Sequence, residues 1–183
     1  MAFDPAKQRK IMGHFATGVT VVTTGGKAGA HGLTANAVAS LSLDPPLVLV
    51  AVEKKAHSLD FLKANRCFAI NILRLEQEEI SRRFATPGPK NFTGLALLAA
   101  VTEAPILADC LAYADCRVVE ILPGGDHEIG QLDLRTALRS GVSTSQLRDQ
   151  VSDLLMLKPE INYKQRESGT TGRYDRTMSQ IGG

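Results

Sequence analysis

Apolar residues in this chain gather in short runs, and few segments repeat with helical spacing. Val19 to Thr24 (VTVVTT) is β-branched throughout and predicts a strand. The Gly-rich stretch 25–32 (GGKAGAHG) predicts a turn, so the first two strands should form a hairpin. Leu33 to Leu43 reads as the second strand, and Asp44-Pro45-Pro46 should interrupt pairing, because proline lacks the ladder donor. Leu47 to Val52 is apolar on both faces, which predicts a central strand. Residues 67–73 (CFAINIL) and 110–122 (CLAYADCRVVEIL) predict two more strands, and another should begin at His127 after the Pro-Gly-Gly-Asp turn.

Helices are few. Asp4-Pro5 is a cap followed by proline at the first helical position, so a short helix should run to about His14. Ser58 should cap a helix ending at Asn65. Residues 76–85 (EQEEISRRFA) carry acids in the first turn and arginines in the last, as the helix dipole favours. Residues 86–94 should form a loop. A Ser-capped segment, 143–157, spaces Leu147, Val151, Leu154 and Leu155 like one helical face. Beyond it the chain turns polar and Gly-rich, with residues 170–183 expected to be a flexible tail. Without sustained strand–helix alternation, a doubly wound sheet is not expected. A small antiparallel barrel with helical additions fits better, in a single domain over residues 1–183.

Composition narrows the function. A net charge of +2, 5% aromatics and no Trp leave no basic, ring-bearing face for nucleic acid. The first 18 residues lack the apolar core of a secretory signal, and no run nears about 20 apolar residues, so a soluble, cytoplasmic protein with no membrane contact is expected. Three cysteines without a CxxC pair suit a reducing compartment. Cys110 and Cys116 should share a strand face.

Four features could carry chemistry, and each has a plainer reading. Lys54, Lys55 and Ser58 lie between a buried strand and a helix start, where free backbone N–H groups can hold an anion; they could equally be solvated lysines beside a capped helix. Arg82 and Arg83 could clamp a phosphate or only complement a helix end. Residues 34–40 (TANAVAS) are small enough for a planar ligand to reach the backbone, with Asn36 offering both donor and acceptor; an ordinary edge strand would look the same. The four histidines show no metal-ligand spacing, so no metal is expected, and His127 in isolation reads as a turn residue. GxSxG and Rossmann-type GxGxxG are both missing.

Taken in order, FATGVTVVTT, HGLTANAVASLSLDPPLVLVAV, FAINIL, SRRFA, CRVVEILPGGDH and a late GRY resemble the short-chain flavin reductases, the reductase components of two-component flavin monooxygenases. The resemblance covers about residues 8–130. It implies an FMN-binding split barrel, a homodimer, FMN or FAD as cofactor, NADH or NADPH as co-substrate, and a separate monooxygenase that receives reduced flavin. Thr34, Ala35, Asn36, Ala37 and Val38 would line the flavin ring. Ser40 and Leu41 would follow the ribityl chain, Lys55 and Ser58 would face phosphate, and Arg83 and Phe84 would also touch the flavin. His127 would be the catalytic residue beside the nicotinamide, with Arg173 and Tyr174 closing that pocket. Little acid–base machinery is needed, since the cofactor carries the hydride chemistry. Residues 131–183 depart from the family pattern, with an unusually long path to Gly172-Arg173-Tyr174. A flavin carrier or sensor without turnover, or a flavin-dependent reductase of a metal corrin or ferric chelate, are the alternatives.

Overall fold

The computed structural model describes residues 4–136, with side chains through residue 133. Residues 4–16 belong to one compact unit and the body from Thr17 to another. In the first group, helix α1 (Pro5–Met12) starts as the sequence requires. The Asp4 carboxylate accepts a hydrogen bond from the Ala6 N–H at 2.9 Å, and Pro5 opens the helix. The helix stops at Gly13, just short of His14.

The body is a curled antiparallel sheet. Strands β1 (Thr20–Thr24) and β2 (His31–Ala35) form the expected hairpin. Strands β3 (Val38–Leu43) and β4 (Pro46–Glu53) follow, then helix α2 (Ser58–Asn65), strand β5 (Cys67–Ile72), a 3₁₀ turn at Leu75–Gln77 and helix α3 (Glu78–Ala85). A two-stranded ribbon, β6 (Leu97–Leu98) and β7 (Ile106–Leu107), precedes the long hairpin of β8 (Ala112–Gly124) and β9 (His127–Thr136). The strand order is β2-β1-β5-β8-β9-β4-β3.

Several expectations change. The stretch 33–43 is two strands, not one, with Asn36 and Ala37 between them. Asp44-Pro45-Pro46 does not interrupt pairing: it closes the β3–β4 hairpin, with Leu43 opposite Pro46. Strand β4 is flanked by β9 and β3 and so lies next to the sheet edge, with only Val50 and Val52 fully buried. Ser58 is not the cap of α2. His57 holds that position without a side-chain bond, and the Ser58 hydroxyl reaches the Gly32 carbonyl at 3.5 Å. Cys110 precedes β8, so it shares no strand face with Cys116. The predicted helix at 143–157 and the tail lie outside the described residues, as do Arg173 and Tyr174.

The strand order explains the curl. The two outermost strands, β2 and β3, are consecutive in sequence. In a flat sheet, six interstrand spacings would separate them by about 29 Å. The three residue steps from Ala35 to Val38 span at most roughly 11 Å. The sheet must therefore roll until its edges come together at residues 36 and 37; the Ala51 N–H, donating to the Ala37 carbonyl at 2.9 Å, carries the β3–β4 pairing up to this link.

Both faces of the β1–β5 end are covered, which accounts for the unbroken apolar runs. Val22, Phe68 and Ile70 point inward with Val50, Val118, Leu132 and the α2 residues Leu59 and Leu62. Val21 packs on the other side with Phe84 of α3 and Leu107, while Cys67 and Ala69 meet Ala104 and Ile106. Buried polar groups fasten the ribbon to the sheet. Asn71, with 0% exposure, donates to the Val21 carbonyl at 2.9 Å and the Thr23 hydroxyl at 3.1 Å, and accepts from the Leu107 N–H at 2.8 Å. The Thr23 hydroxyl donates to the Pro105 carbonyl, and Asp115 accepts from the N–H groups of Val101 and Thr102, each at 2.9 Å.

Replacing Asn71 with Leu keeps the volume but strands the Leu107 N–H in a dry interior. A loss of about 2–4 kcal/mol follows from an unmatched buried donor and its lost partners. Urea denaturation should show it as a lower midpoint with an unchanged slope. A wild-type midpoint would mean that the ribbon is held by packing alone.

Candidate active site

The seam opens into a cleft of about 480 Å³, within the range of small-molecule sites. One wall comes from β2 and the link after it: Leu33, Thr34, Ala35, Asn36 and Ala37. The facing wall comes from the end of β4 and the turn into α2, including Glu53, Lys55 and Ser58. Phe84 and the segment after α3 line a third side, and His127 stands at the far rim.

Local bonds hold these walls. The Thr34 hydroxyl donates to the Ser81 carbonyl at 2.6 Å, tying β2 to α3. Phe84 has 1% exposure and meets Phe92 edge-on at 5.2 Å. Gly32 is what allows α3 so near: a Cβ there would lie 2.9 Å from two Phe84 ring carbons and 3.1 Å from the Val22 carbonyl. At the rim, the Lys54 amine donates to the Gly125 carbonyl at 2.6 Å and the Lys54 N–H donates to the Asp126 carbonyl at 2.9 Å. These bonds set the GGDH turn beside the end of β4, with Glu53 opposite His127 in register. His127 Nδ1 lies 2.7 Å from the Asp126 carboxylate. The imidazole bond, then its charge, hold the Asp126 carboxyl below its ordinary range.

The lining is electropositive. Lys55, Lys90 and three histidines (His31, His57 and His127) line it, and among the described residues Glu53 is the one carboxylate in the lining. The Lys90 amine donates to the Thr86 carbonyl, and burial lowers its affinity for the proton. No group of three or more His, Cys, Asp or Glu among the described residues could hold a metal ion. The thiols are equally unsuited to chemistry: burial first of all pushes Cys110 up to about 11 and Cys116 up to about 12.

Of the residues singled out from sequence, Thr34, Ala35, Asn36, Ala37, Lys55, Ser58, Phe84 and His127 line this one cleft. Val38, Ser40, Leu41 and Arg83 do not. Val38 packs on the inner core, while Ser40 and Leu41 are exposed on β3. The Arg83 guanidinium donates to the Thr93 carbonyl at 3.2 Å. Sequence reasoning missed His31, His57 and Lys90. Period-2 spacing held a signal for the first, since His31 shares a strand face with Leu33 and Ala35. Spacing held none for Lys90, which a loop brings in.

Residues 12–134 match the flavin reductase like domain family. The chain belongs to that family. It is 42% identical over 126 residues to the reductase component of a 4-nitrophenol 4-monooxygenase/4-nitrocatechol 2-monooxygenase from Rhodococcus opacus, covering 69% of this chain and 68% of that protein. The NADH:FAD oxidoreductase of Streptomyces globisporus superposes with a TM-score of 0.68 at 37% identity, covering 74% of this chain and 85% of that one. A structure of the same enzyme holds NAD and FAD fragments. This chain spans 68, 41 and 66% of the length of three such curated relatives. A different likeness stands beside these: 57 residues, 31% of the chain, are 74% identical to the GTP 3′,8-cyclase of Trichormus variabilis but cover only 17% of it. So small a share carries no cyclase activity over. The flavin reductase match ends at residue 134, close to where the sequence departs from the family pattern.

Gly32→Ala should force a methyl group against the buried Phe84 ring, an overpacking cost of about 1–3 kcal/mol. Thermal unfolding should report a lowered midpoint, partly restored in Gly32→Ala/Phe84→Leu. If the single variant melts like wild type, the close packing of α3 on β2 is not as described.

Proposed function

We propose that this protein is an NAD(P)H:flavin oxidoreductase that reduces FMN or FAD and passes the reduced flavin to a separate monooxygenase. The observation that carries this reading is the seam cleft. It gathers eight of the residues that the resemblance assigns to flavin or nicotinamide, in a chain of the flavin reductase family. The residues present suit a flavin. Small side chains at Ala35 and Ala37 leave backbone within reach of a planar ring, and Asn36 offers a donor and an acceptor at its edge. Lys55 and Ser58 supply charge and a hydroxyl at the other end, toward a phosphate.

Bound flavin supplies the two-electron chemistry. The chain's own task is to bind, orient and exclude water. Neutral amide groups along residues 34–37 would hold the ring's polar edge and would stabilise negative charge there. His127 stands at the rim, where a nicotinamide would stack on the exposed ring face. Its Nδ1 is engaged by Asp126, which leaves Nε2 for positioning or proton delivery. Arg173 and Tyr174 are assigned to the same nicotinamide side on sequence resemblance.

A homodimer is part of this reading. Strand β3 is a sheet edge with Leu41 and Leu43 exposed by 47% and 90%. A second copy against it would cover that edge and bring Val38, Ser40 and Leu41 into use, with Arg83 as a further flavin contact. Free buried thiols favour the cytoplasm. No helix among the described residues is long and apolar enough to cross a membrane.

The activity is checked by following nicotinamide absorbance with NADH or NADPH and FMN or FAD. Flavin-dependent oxidation is expected in at least one of the four pairings; failure in all four removes the reading, and tight flavin binding without turnover would make the protein a carrier. His127→Ala should raise the nicotinamide KM more than the flavin KM, by about tenfold for a lost orienting hydrogen bond. Equal rises would remove His127 from the nicotinamide side. Asn36→Leu should weaken flavin binding about tenfold for the same reason. An unchanged Kd would take Asn36 away from the ring edge.

A further inference from the structure

His31 lines the cleft at 3% exposure, and neither of its ring nitrogens has a hydrogen-bond partner. A neutral imidazole carries one donor and one acceptor, and burying both unmatched is unfavourable. Packing holds the ring in place: it stacks on Phe61 of α2 at 4.4 Å and meets His57 edge-on at 5.6 Å. The Gly88 and Gly32 backbones lie near enough to favour a proton on it, but neither completes a hydrogen bond. Gly88 belongs to the Thr-Pro-Gly-Pro-Lys segment, residues 86–90, which also lines the cleft. The segment is secured by Thr86 donating to the Arg82 carbonyl at 3.0 Å and by the internal Lys90–Thr86 contact.

The charged and titratable groups facing His31 are cationic or neutral. His57 approaches from the turn before α2 and Lys90 from the covering segment, and both disfavour a proton on His31. Lys55 lines the same cleft, and Glu53 is its one carboxylate among the described residues. Next to His31, the Gly32 carbonyl is within reach of the Ser58 hydroxyl at 3.5 Å. His31 therefore sits at the end of the cleft assigned above to phosphate, away from the ring-binding stretch.

We propose that His31 is a proton-linked ligand of the flavin phosphate: as the anion enters, residues 86–90 yield their cover, and the imidazole takes a proton from solvent to bind as a cation beside Lys90. This rests on the flavin reductase reading. Without an anion beside it, burial first, then Lys90 and His57, hold His31 below its ordinary value, so it is neutral at pH 7. Next to phosphate the balance reverses, and the complex holds a proton that the free protein does not. Affinity is then greatest below the free protein's pKa and falls as pH rises through that of the complex.

FAD tests this cleanly, since its pyrophosphate does not titrate near neutrality, and riboflavin has no phosphate. Calorimetry of the whole chain at pH 7, in two buffers of different ionisation enthalpy, should show uptake of up to about one proton with FAD and none with riboflavin. From pH 6.5 to 8 the Kd for FAD should rise by up to about tenfold per unit. His31→Gln should abolish both uptake and slope. The wild-type measurement needs no variant, so a poorly folded His31→Gln leaves the test intact. No uptake with FAD, equal uptake with riboflavin, or uptake surviving in His31→Gln overturns the proposal. If the wild type binds no flavin, the flavin reductase reading falls with it; if it binds flavin without uptake, only the role of His31 falls.

Discussion

The two-residue link at Asn36 and Ala37 governs this molecule. It joins the outermost strands of a seven-stranded sheet, and a chain so short cannot bridge a flat sheet. Rolling is therefore obligatory, and the roll encloses the inner core of Val22, Phe68, Val50 and Leu132. It also places the join between β2 and β3 beside the start of α2. The cleft is the consequence of that closure, since residues 33–37 and 51–53 face each other only because the edges have been brought together.

Closure alone would leave the wall beside the cleft unsupported. Helix α3 and the β6–β7 ribbon back it from outside. Their attachment is specific rather than greasy: Asn71, Thr23 and Asp115 satisfy backbone groups of the ribbon, while Gly32 lets the Phe84 ring come against β2. Such fully matched buried polar contacts fix one arrangement among many that a purely apolar interface would tolerate. Rigidity on this side matters, because flavin reduction asks the protein for preorganised surroundings more than for reactive side chains.

The cleft's electrostatics follow from the same geometry. His31, His57 and His127 come from three different elements, and Lys90 from a loop, yet they share one cavity with a single carboxylate. The lining thus favours anionic nucleotides at neutral pH. Its histidines make that preference adjustable by protons, which lysines alone would not.

Much of this was legible in the order of residues. The β-branched run of β1, the Gly-rich turn, the capped helix α1, the acid-to-base gradient of α3 and the GGDH hairpin each depend on neighbours a few positions apart, so local chemistry determines them. The TANAVASLSLDPPLVLV block likewise carried the family and four of the cleft-lining residues, Thr34 to Ala37. Tertiary structure decided the rest. Splitting 33–43 into two strands required the sheet's own closure. Turning Asp44-Pro45-Pro46 into a hairpin required β3 to pair with β4. Gathering His31, His57 and Lys90 required a barrel seam and a loop folded over it. Local propensity knows nothing of which strands become neighbours, because that is set by long-range burial and by how far a short link can reach.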